Sequence, residues 1–450
     1  MREELLSSIR VEDFSLKEGM GLAWYKGEKL KIKGGIPEEV VELRVERKKG
    51  KFLEGKIVRV VHPSPYRVKP FCPHFSLCGG CQLQHIDYSY QLELKRKSFI
   101  QGWESKISLP EIRINPSPLI HSFRNKMEFV FGKDGRGEKA LGLHPRGKFW
   151  EVVNLSICPV FSDKLTPYLF QVFRNFMKDN KLSVYNPETH EGILRHLVVK
   201  EGKFTQELLL GVVAQEEIPL EKLIPLLKKT FPTLVGIIFV LNRSLSDAVK
   251  FEDCRVIWGR EYLEERLDEF IFRITLPSFF QTNPRSAIHL YRRIQERVKE
   301  GEKVLDLYAG MSTIGTFISG KAKEVIAVEE NLESIKWGKI NASINRCENK
   351  IKFFPGRVEE FIKKARRFLS PHNFTTAILD PPRSGLSPRV VKVIQESRIP
   401  LIIYVSCNPE KFSRDAKYFL EREYHLSYIE LFDFFPHTPH FEVMGEFVLR

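Results

Sequence analysis

The stretch VLDLYAGMSTIG, residues 304–315, decides the fold of this chain. Its apolar start, Val304 to Leu307, predicts a buried strand, and the turn that follows contains Gly310 and leads to Gly315 at the start of a helical segment. A strand, a glycine-bearing turn and a helix in this order are typical of the first unit of a doubly wound α/β sheet. Such a turn lets a ligand approach the backbone closely.

Strand-like runs alternate with helical segments from Ile271 to the end of the chain, and this alternation predicts a parallel sheet covered by helices on both faces. The predicted strands are Val304–Tyr308, Val325–Val328, Ile351–Phe354, Thr376–Leu379 and Leu401–Val405.

Short β-runs fill residues 11–62, where Gly and Pro turns separate Gly21–Trp24, Leu30–Lys33, Val40–Val45 and Lys56–Val61. The spacing predicts a small OB-like barrel. Its many basic residues, beside the aromatic Trp24 and Tyr25, are equally compatible with a solvated strand face and with an RNA-binding face. They are Lys26, Lys29, Lys31, Lys33, Arg44, Arg47, Lys48, Lys49 and Lys51.

Three domains are expected, with bounds 1–65, 66–270 and 271–450. The first is the barrel, followed by a linker that starts at Pro63. The second is a mixed α+β region with a helix over Tyr88–Glu104 that contains Lys95, Arg96 and Lys97. The third is the doubly wound α/β unit.

The chain of 450 residues carries 71 Lys and Arg against 57 acids, a net charge of +14. This excess favours a polyanionic partner such as a nucleic acid. Apolar runs stay well short of the ~20 residues of a membrane span, and the N-terminus lacks the apolar core of a signal peptide. We therefore expect a cytoplasmic protein whose seven cysteines are reduced, metal-ligating or catalytic.

An acid at each end of the first strand–turn–strand unit suggests which cofactor binds there. Asp306 precedes the turn, and Glu329 closes the next strand, where an acid can bind both hydroxyls of a ribose. The turn lacks the G-x-G-x-x-G pattern that cradles a pyrophosphate, which argues against NAD. S-adenosylmethionine, which has a ribose and no phosphate, fits better.

Three loops at strand ends carry reactive groups: AspProProArg (380–383), SerCysAsnPro (406–409) and PheProHisThrProHisPheGlu (435–442). A thiol at Cys407 can attack C6 of a pyrimidine, which makes C5 nucleophilic enough to accept a methyl group. A base must then remove the C5 proton, and Glu442 is the candidate. The alternatives are a buried, inert Cys407 and an exposed surface acid at Glu442.

Asp380 begins a stiff Pro-Pro loop. Amino-methylating enzymes with such a loop carry an aromatic residue after the prolines, whereas here Arg383 follows. This difference favours methylation of a carbon over methylation of an exocyclic amine.

A cysteine cluster with the spacing C-x5-C-x2-C opens the central region at Cys72, Cys78 and Cys81, and Cys158 follows later. Four thiolates can hold zinc or an iron–sulfur cluster. The five-residue gap is unusual for a zinc ribbon and the glycines at 79 and 80 leave room for sulfides, which favours iron–sulfur. His74 and His85 keep zinc open as an alternative, and Cys254 and Cys347 are expected in the core.

The motifs together resemble those of the RNA 5-methyluridine (uracil-C5) methyltransferases that carry an N-terminal TRAM barrel and a [4Fe–4S] cluster, the branch that acts on 23S ribosomal RNA. Besides the cysteines and the three loops, ArgAsnLysMetGluPhe from Arg124 and PhePheGlnThrAsn from Phe279 carry the resemblance, which covers nearly the whole chain. The family turn usually reads AspLeuTyrCysGlyXaaGly, whereas this chain has Ala309 and Ser312.

The resemblance implies a fold class of α/β, with a Rossmann-like methyltransferase domain, a small OB-like (TRAM) barrel and a mixed α+β central domain. It implies Cys407 as nucleophile and Glu442 as base, and it places S-adenosylmethionine against Gln281, Tyr308, Glu329 and Asp380. The [4Fe–4S] cluster would sit on Cys72, Cys78, Cys81 and Cys158.

The expected function is methylation of C5 of a uridine in RNA by a monomer, with ribosomal RNA favoured over transfer RNA. One alternative is a cytosine-C5 methyltransferase, but that family typically has a cysteine in its Pro-Pro loop, and residues 380–385 contain none. Another is an RNA-binding protein that has lost catalysis, against which the intact Cys407, Asp380 and Glu442 argue. The target uridine should leave its stack, because Cys407 must reach C6 from the face of the ring.

Overall fold

Three sheets and a two-stranded ribbon form the framework of the described part of the chain. The computed structural model describes residues 4–49, 52–103, 108–251, 253–365, 368–371, 373–421 and 423–450. Lys51 and Glu104, assigned above to the barrel and to the helix, lie outside the described residues, as do the side chains of Lys48 and Lys49.

The N-terminal sheet has six strands in the order β1-β5-β6-β4-β3-β2. They are β1 (Leu5–Arg10), β2 (Asp13–Ser15), β3 (Met20–Tyr25), β4 (Glu28–Lys33), β5 (Val40–Lys49) and β6 (Phe52–His62). Alternate residues such as Leu30 and Ile32 are fully buried in a core of their own, as a sheet with one covered face requires. All four predicted strands are confirmed, but β1 starts before residue 11. Closure into a barrel stays a prediction.

The segment after β6, predicted as a linker, is anchored to its neighbours. Ser64 is buried, and the ring of Tyr66 stacks on that of Tyr90 with 3.8 Å between centroids. The fully buried Glu39 forms an ion pair with Arg67. These contacts hold the N-terminal sheet against the first helix of the central region.

The central region contains a seven-stranded sheet in the order β10-β9-β8-β11-β12-β13-β14. Its elements in chain order are α1 (Tyr88–Gln101), β7 (Arg113–Asn115), β8 (Lys126–Lys133), β9 (Lys139–Leu143), β10 (Val153–Asn154), α2 (Thr166–Asp179), β11 (Leu194–Glu201), β12 (Leu208–Ala214), a 3₁₀ turn (Leu220–Leu223), α3 (Ile224–Thr230), β13 (Leu234–Leu241) and β14 (Asp253–Gly259). Helix α1 ends at Gln101, earlier than predicted, and Gly102 is its C-cap residue, with its N–H still bonded to the Ser98 carbonyl.

The two cysteines expected in the core have different environments. Cys347 is buried, as predicted. Cys254 is exposed, so that prediction is wrong. It lies on β14, the end strand of the seven-stranded sheet, where four successive residues from Asp253 are exposed.

The C-terminal part holds an eight-stranded sheet in the order β19-β18-β17-β20-β21-β23-β22-β7. Its elements are β15 (Tyr262–Leu267) and β16 (Phe270–Thr275), which form the ribbon, α4 (Pro284–Arg297), β17 (Lys303–Leu307), α5 (Thr313–Ile318), β18 (Glu324–Glu329), α6 (Leu332–Ile344), β19 (Ile351–Pro355), α7 (Val358–Ala365), β20 (Thr376–Leu379), α8 (Pro388–Ser397), β21 (Leu401–Ser406), α9 (Pro409–Leu420), β22 (Tyr424–Phe432) and β23 (Glu442–Leu449). The five predicted strands are present, with bounds within one residue of the prediction.

Both faces of this sheet are buried, as expected of a doubly wound fold. Leu305 and Leu307 of β17 pack into one core, and Val304 packs into the other. Strand β7, from the central region, extends the sheet beyond β22, so the sheet is built from more of the chain than residues 271–450. The domain bounds at 65 and 270 stay predictions.

Among the described residues, no helix reaches the length and apolarity that crossing a membrane requires.

The turn after β17 is unusually tight. Tyr308, Gly310 and Ser312 all adopt left-handed backbone conformations, with φ of 64°, 56° and 54°. Ser312 is fully buried and its Oγ donates a hydrogen bond to Asp306 at 3.2 Å. A Cβ on Gly315 would lie 2.1 Å from that Oγ. A serine therefore occupies the left-handed position by bonding to the acid beneath it, and it requires a glycine three residues later.

We predict that Gly315→Ala destabilises the protein by roughly 1–3 kcal/mol, because the added methyl overlaps Ser312 Oγ. Ser312→Gly alone should change stability by less than ~1 kcal/mol, since relief of the left-handed strain offsets the lost hydrogen bond. The double variant should recover most of the Gly315→Ala loss. Denaturant titrations of all four proteins measure this cycle, and strictly additive effects would contradict the proposed contact.

Candidate active site

The strand order creates a crevice at the carboxyl ends of the parallel strands. The chain runs from β17 to β18 and β19 on one side and then returns to β20 on the other, and ligands bind at such a switch point. Leu307 pairs with Val328 and with Leu379 in the parallel ladders. The next residues in the three strands or loops, Tyr308, Glu329 and Asp380, therefore lie side by side at one edge.

The antiparallel strand β23 brings the thiol and the second acid to the same edge. Ser406 at the end of β21 pairs with Val443 near the start of β23. In antiparallel pairing, the residue after Ser406 and the residue before Val443 are neighbours, and these are Cys407 and Glu442. Three loops that are far apart in sequence thus meet because of strand order and register.

All six residues predicted for catalysis and cofactor binding line one open cleft of about 1180 Å³. They are Gln281, Tyr308, Glu329, Asp380, Cys407 and Glu442. A site for one small molecule typically has ~300–1000 Å³, so this cleft has room for a cofactor and a nucleotide together.

Three carboxyl groups in the cleft have raised pKa values; two of them, Asp306 and Glu442, are buried, and Asp380 is half-buried. Burial raises the pKa of Asp306 and of Asp380 to about 7. Burial, reinforced by the charge of Asp380, raises the pKa of Glu442 to about 8. Glu442 is only 3% exposed, so the alternative of an exposed surface acid is wrong. A cationic ligand in this cleft would be attracted to the ionised carboxylates and would lower their pKa values.

The Cys407 thiol is half-buried in the same electrostatic environment. Burial, together with the charges of Glu442 and Asp380, raises its pKa to about 11, while the Arg383 guanidinium acts in the opposite direction. The free site therefore holds a protonated thiol, and a bound cation would favour the nucleophilic thiolate. Because Cys407 borders the cleft, it is open to a ligand in a way that a core cysteine is not.

The carboxylate of Glu329 is held by the backbone around it. One oxygen accepts from Gly310 N at 2.9 Å, and the other accepts from Asn331 N at 2.8 Å. Both oxygens retain lone pairs that can accept from the hydroxyls of a ribose.

The loop that leads to Glu442 is fixed by helix α1. Lys95 and Asp433, both fully buried, form an ion pair at 2.7 Å, and Lys95 Nζ also donates to the Phe435 carbonyl at 3.1 Å. Burial lowers the pKa of Lys95, while the Asp433 carboxylate acts to raise it. The sequence analysis placed Lys95 in a basic helix and did not identify its partner, because 338 residues separate the pair.

His437 is the centre of this loop and has a left-handed φ of 65°. Its backbone N donates to Gln91 Oε1, and its carbonyl accepts from the N–H groups of Gln82 and Leu83. Its Nε2 lies 3.1 Å from the Ile120 carbonyl, an acceptor, so the ring donates there. Burial lowers the pKa of His437 to about 4, which keeps the ring neutral.

Two of the sequence motifs contain an asparagine that hydrogen-bonds to a loop beside the cleft. Asn125 Nδ2 donates to the Gln281 carbonyl at 2.9 Å, which ties the central sheet to the cofactor side of the cleft. Asn283 Nδ2 donates to the Phe434 carbonyl at 3.2 Å, while its Oδ1 caps helix α4. The polar residues of ArgAsnLysMetGluPhe and PhePheGlnThrAsn therefore position the loops around the site.

Sequence reasoning missed several residues that line the cleft. Tyr291 is a fully buried residue of α4, and its position in the helical pattern gave no signal of a site. Phe279 is 70% exposed at the cleft, which its apolar motif did not indicate. Phe435 lines both this cleft and a second cavity.

The second cavity brings together the four predicted metal-ligating cysteines, Cys72, Cys78, Cys81 and Cys158. Burial raises the pKa of Cys81 to about 12, and burial together with the neighbouring thiols raises the pKa of Cys158. Gln84 Nε2 lines the cavity and lacks a hydrogen-bond partner among the described residues, so it is available to a sulfur or sulfide. Four thiols around one cavity are the donor type that zinc and iron–sulfur clusters use.

The two histidines considered as zinc ligands are not available in this way. His74 borders the cavity, but its Nε2 accepts from Ser156 N at 2.9 Å. His85 packs against Phe75 and does not line the cavity, although neither of its ring nitrogens has a hydrogen-bond partner among the described residues. Within the described ranges, no set of three or more His, Cys, Asp or Glu side chains is close enough to hold a single metal ion.

Comparisons with known proteins agree with this site. Residues 243–449 match the family model for tRNA (Uracil-5-)-methyltransferase. An uncharacterized RNA methyltransferase of Caldanaerobacter subterraneus is 37% identical over 446 residues, covering 97% of each chain. The tRNA (uracil(54)-C(5))-methyltransferase of Pyrococcus abyssi is 38% identical over 412 residues, covering 91% of this chain and 93% of the relative.

A crystal structure of the Pyrococcus abyssi tRNA (uracil-54, C5)-methyltransferase, in complex with S-adenosyl-L-homocysteine, superimposes with a TM-score of 0.78 at 33% identity. The match covers 98% of this chain and 99% of that one. The fold and the cleft define an α/β methyltransferase with a β-rich N-terminal unit. This chain belongs to the RNA uracil-5-methyltransferase family and is an S-adenosylmethionine-dependent RNA uracil-C5 methyltransferase.

We predict that affinity for S-adenosylmethionine rises as pH increases from 6 to 7.5. The carboxyls lose their protons in this range, and the positive charge of the bound sulfonium favours the ionised carboxylates. Binding therefore releases protons, and for each proton released the affinity rises by up to tenfold per pH unit. S-adenosylhomocysteine lacks the sulfonium charge, so its affinity should change less. Calorimetric titration of both ligands at each pH tests this, and equal pH dependence for the two would contradict it.

Proposed function

We propose that Cys407 and Glu442 carry out the methylation of uridine C5 through a covalent enzyme–RNA intermediate. The observation that supports this proposal is their adjacency at the end of the β21–β23 pair, in a cleft with room for both substrates. Gln281, Tyr308, Glu329 and Asp380 would bind S-adenosylmethionine, with Glu329 on the ribose hydroxyls.

Cys407 would start the reaction by bonding through sulfur to C6 of the uracil, and its proton would pass to the surrounding carboxylates or water. The electron pair of the C5–C6 double bond moves toward C5 and the O4 carbonyl, which makes C5 nucleophilic. C5 would then take the methyl group from the positively charged sulfur of S-adenosylmethionine, and neutral S-adenosylhomocysteine would leave. The same charge would help ionise Cys407 and Glu442 in this carboxyl-rich cleft.

Glu442 would complete the reaction as the general base. As a carboxylate it takes the proton from C5, the C5–C6 double bond forms again, and the bond between C6 and the Cys407 sulfur breaks. The thiolate leaves and the methylated uridine is released. The neutral His437 and the Lys95–Asp433 pair hold the loop that precedes Glu442, so the carboxylate is oriented before substrate arrives.

We predict that fluorouracil-substituted RNA, incubated with S-adenosylmethionine, forms a denaturation-resistant complex with the wild-type protein, because fluorine at C5 leaves no proton to remove. Cys407→Ser should abolish both this complex and turnover. Glu442→Gln should retain attack and methyl transfer but accumulate methylated RNA bound to protein. Gel shift and mass spectrometry measure these species. Turnover in Cys407→Ser would refute the nucleophile, and normal release by Glu442→Gln would refute the base.

We further propose that Cys72, Cys78, Cys81 and Cys158 hold a [4Fe–4S] cluster. The four thiols line one cavity, and within the described ranges no three of the side chains that bind metals are close enough together to hold one ion, which favours a wider group over a single zinc. The four ligands come from a loop beside the N-terminal sheet and from a turn before α2, so the group would hold these segments together. This supports a structural role, since four protein thiolates leave no open position on the cluster.

We predict that protein purified without oxygen is brown and contains about four iron and four sulfide per chain. Cys158→Ser should lose iron and lower the thermal midpoint, whereas Cys254→Ser, a change at an exposed cysteine outside the cavity, should do neither. Elemental analysis and calorimetry give the two readouts. Stoichiometric zinc without iron would contradict the cluster.

For the substrate, we propose a uridine in a loop of transfer RNA, at the position that corresponds to 54. The support is the printed activity of the Pyrococcus relatives, which are 34–38% identical over more than nine-tenths of this chain. The sequence predicts 23S ribosomal RNA instead, because its motifs resemble those of the cluster-bearing branch, and this RNA is the second candidate.

In either RNA, residues 1–65 would bind phosphates, residues 66–270 would carry the cluster and residues 271–450 would carry out the reaction.

We predict that cells without this protein lose 5-methyluridine from transfer RNA at position 54, and that the purified enzyme restores it to an unmodified transcript. Mapping of 5-methyluridine in both RNA pools, with and without the protein, measures this. Cells that express Cys407→Ser are the control. Loss confined to 23S ribosomal RNA would select the second candidate without affecting the proposed chemistry.

A further inference from the structure

The loop between β9 and β10 presents five successive exposed residues, Arg146, Gly147, Lys148, Phe149 and Trp150. Phe149 is 57% exposed and Trp150 is 47% exposed. Their rings form a T-shaped pair with centroids 5.2 Å apart. Two adjacent exposed aromatic residues next to two cations are unusual on a protein surface and mark an interaction site.

The loop is held in shape by its base. The His144 ring bonds through Nδ1 to the Glu151 carbonyl at 2.8 Å and so closes the loop. Within it, Lys148 N donates to the Pro145 carbonyl at 3.2 Å, and Gly147 supplies the left-handed φ of 77° that this turn requires. The aromatic pair is therefore presented by an ordered turn, which lowers the entropy lost on binding.

The loop lies beside the N-terminal sheet and the loop that carries three of the cavity cysteines. Arg146 Nη1 donates to the Glu18 carbonyl of the N-terminal sheet at 2.6 Å. Gly79, between the cavity cysteines, donates its N–H to the His144 carbonyl at 2.9 Å. The cavity behind the loop is lined by Leu143 on one side and by Phe435 on the other, and Phe435 also borders the catalytic cleft. The cavity next to the loop therefore shares Phe435 with the cleft, which connects the loop to the proposed site of reaction.

We propose that Phe149 and Trp150 are a stacking site for unpaired bases of the RNA substrate, in the segment that flanks the target uridine. This inference rests on the proposed reaction on RNA. Aromatic faces bind bases of any sequence, and the Arg146 and Lys148 charges suit the phosphates between them. Lys148 already pairs with Glu151 at 2.8 Å at the surface, a weak contact that a phosphate can replace. The occupant is single-stranded, because duplex RNA does not offer unstacked bases.

The test uses the full-length enzyme and the double variant Phe149→Ala/Trp150→Ala. We expect the KM for an unmodified tRNA transcript, and the Kd for a 12-nucleotide oligouridylate, to rise about tenfold. The kcat and the affinity for S-adenosylmethionine should stay within about twofold of wild type, because the loop is outside the cleft. Binding of a 12-base-pair RNA duplex should not change.

Three further variants separate stacking from other effects. Phe149→Tyr/Trp150→Phe keeps the rings and should bind RNA as wild type does. Tyr168→Ala removes an aromatic of similar exposure, 59%, from α2 and should have no effect. Lys148→Ala should lower the slope of log affinity for RNA against log salt concentration by about one, the value expected for one lost phosphate contact. The aromatic double variant should leave this slope unchanged.

Direct contact is tested by photocrosslinking an oligouridylate that contains 5-iodouridine and mapping the linked peptide. We expect crosslinks at Phe149 or Trp150. An unchanged KM and Kd in the alanine double variant would overturn the proposal. So would a wild-type dimer that the double variant converts to monomers in sedimentation, because the pair would then be a self-association surface. If the wild type methylates no RNA, the proposed reaction is refuted. The Kd for the oligouridylate would still show whether Phe149 and Trp150 bind RNA.

Discussion

The antiparallel pairing of β21 with β23 is the constraint on which the rest of the site depends. The pairing of Ser406 with Val443 places Cys407 beside Glu442. A shift of one residue would turn every side chain of β23 to the opposite face of the sheet, and both faces are buried. Val443 packs into one core and Met444 into the other, so each core fixes the register. The adjacency of Cys407 and Glu442 thus follows from hydrophobic packing.

Concentrating buried acids in this cleft costs stability. The pKa values of Asp306, Asp380 and Glu442 are about 7, 7 and 8 in the folded protein, well above the ~4 of these groups in an unfolded chain. The folded state keeps protons that the unfolded chain releases, so these groups lower the free energy of unfolding as pH rises from ~4 to 8. A bound cationic cofactor offsets this loss. The carboxyl groups that would attract a sulfonium therefore also make the free protein less stable at neutral pH.

The catalytic loop is supported from outside the α/β unit. A buried ion pair contributes little net stability, but removing one partner leaves an uncompensated buried charge. The Lys95–Asp433 pair therefore makes the loop before Glu442 sensitive to the position of α1. Since Phe435 separates the cysteine cavity from the cleft, the same short loop contacts both sites. The loop before Glu442 therefore links the cysteine cavity of the central region to the cleft.

By itself the sequence determined the elements and the reactive residues. Apolar runs and glycine turns located β17 to β21 within one residue, because buried parallel strands have a local hydrophobic pattern. The motifs identified the six residues that line the cleft, and the cysteine spacing identified the four thiols of the second cavity. Local pattern was misleading where exposure depends on neighbouring strands, as at Cys254, which was expected in the core and is exposed on an end strand.

Only the tertiary structure decided how these parts meet. It placed Cys407 against Glu442, paired Lys95 with Asp433, joined β7 to the catalytic sheet and exposed Phe149 and Trp150 together. It also showed that Ser312 adopts a left-handed conformation through its bond to Asp306. Each of these depends on strand order, register or burial, which join residues that are distant along the chain. Local sequence patterns carry no information about such contacts, because the free energy that selects them comes from packing in three dimensions.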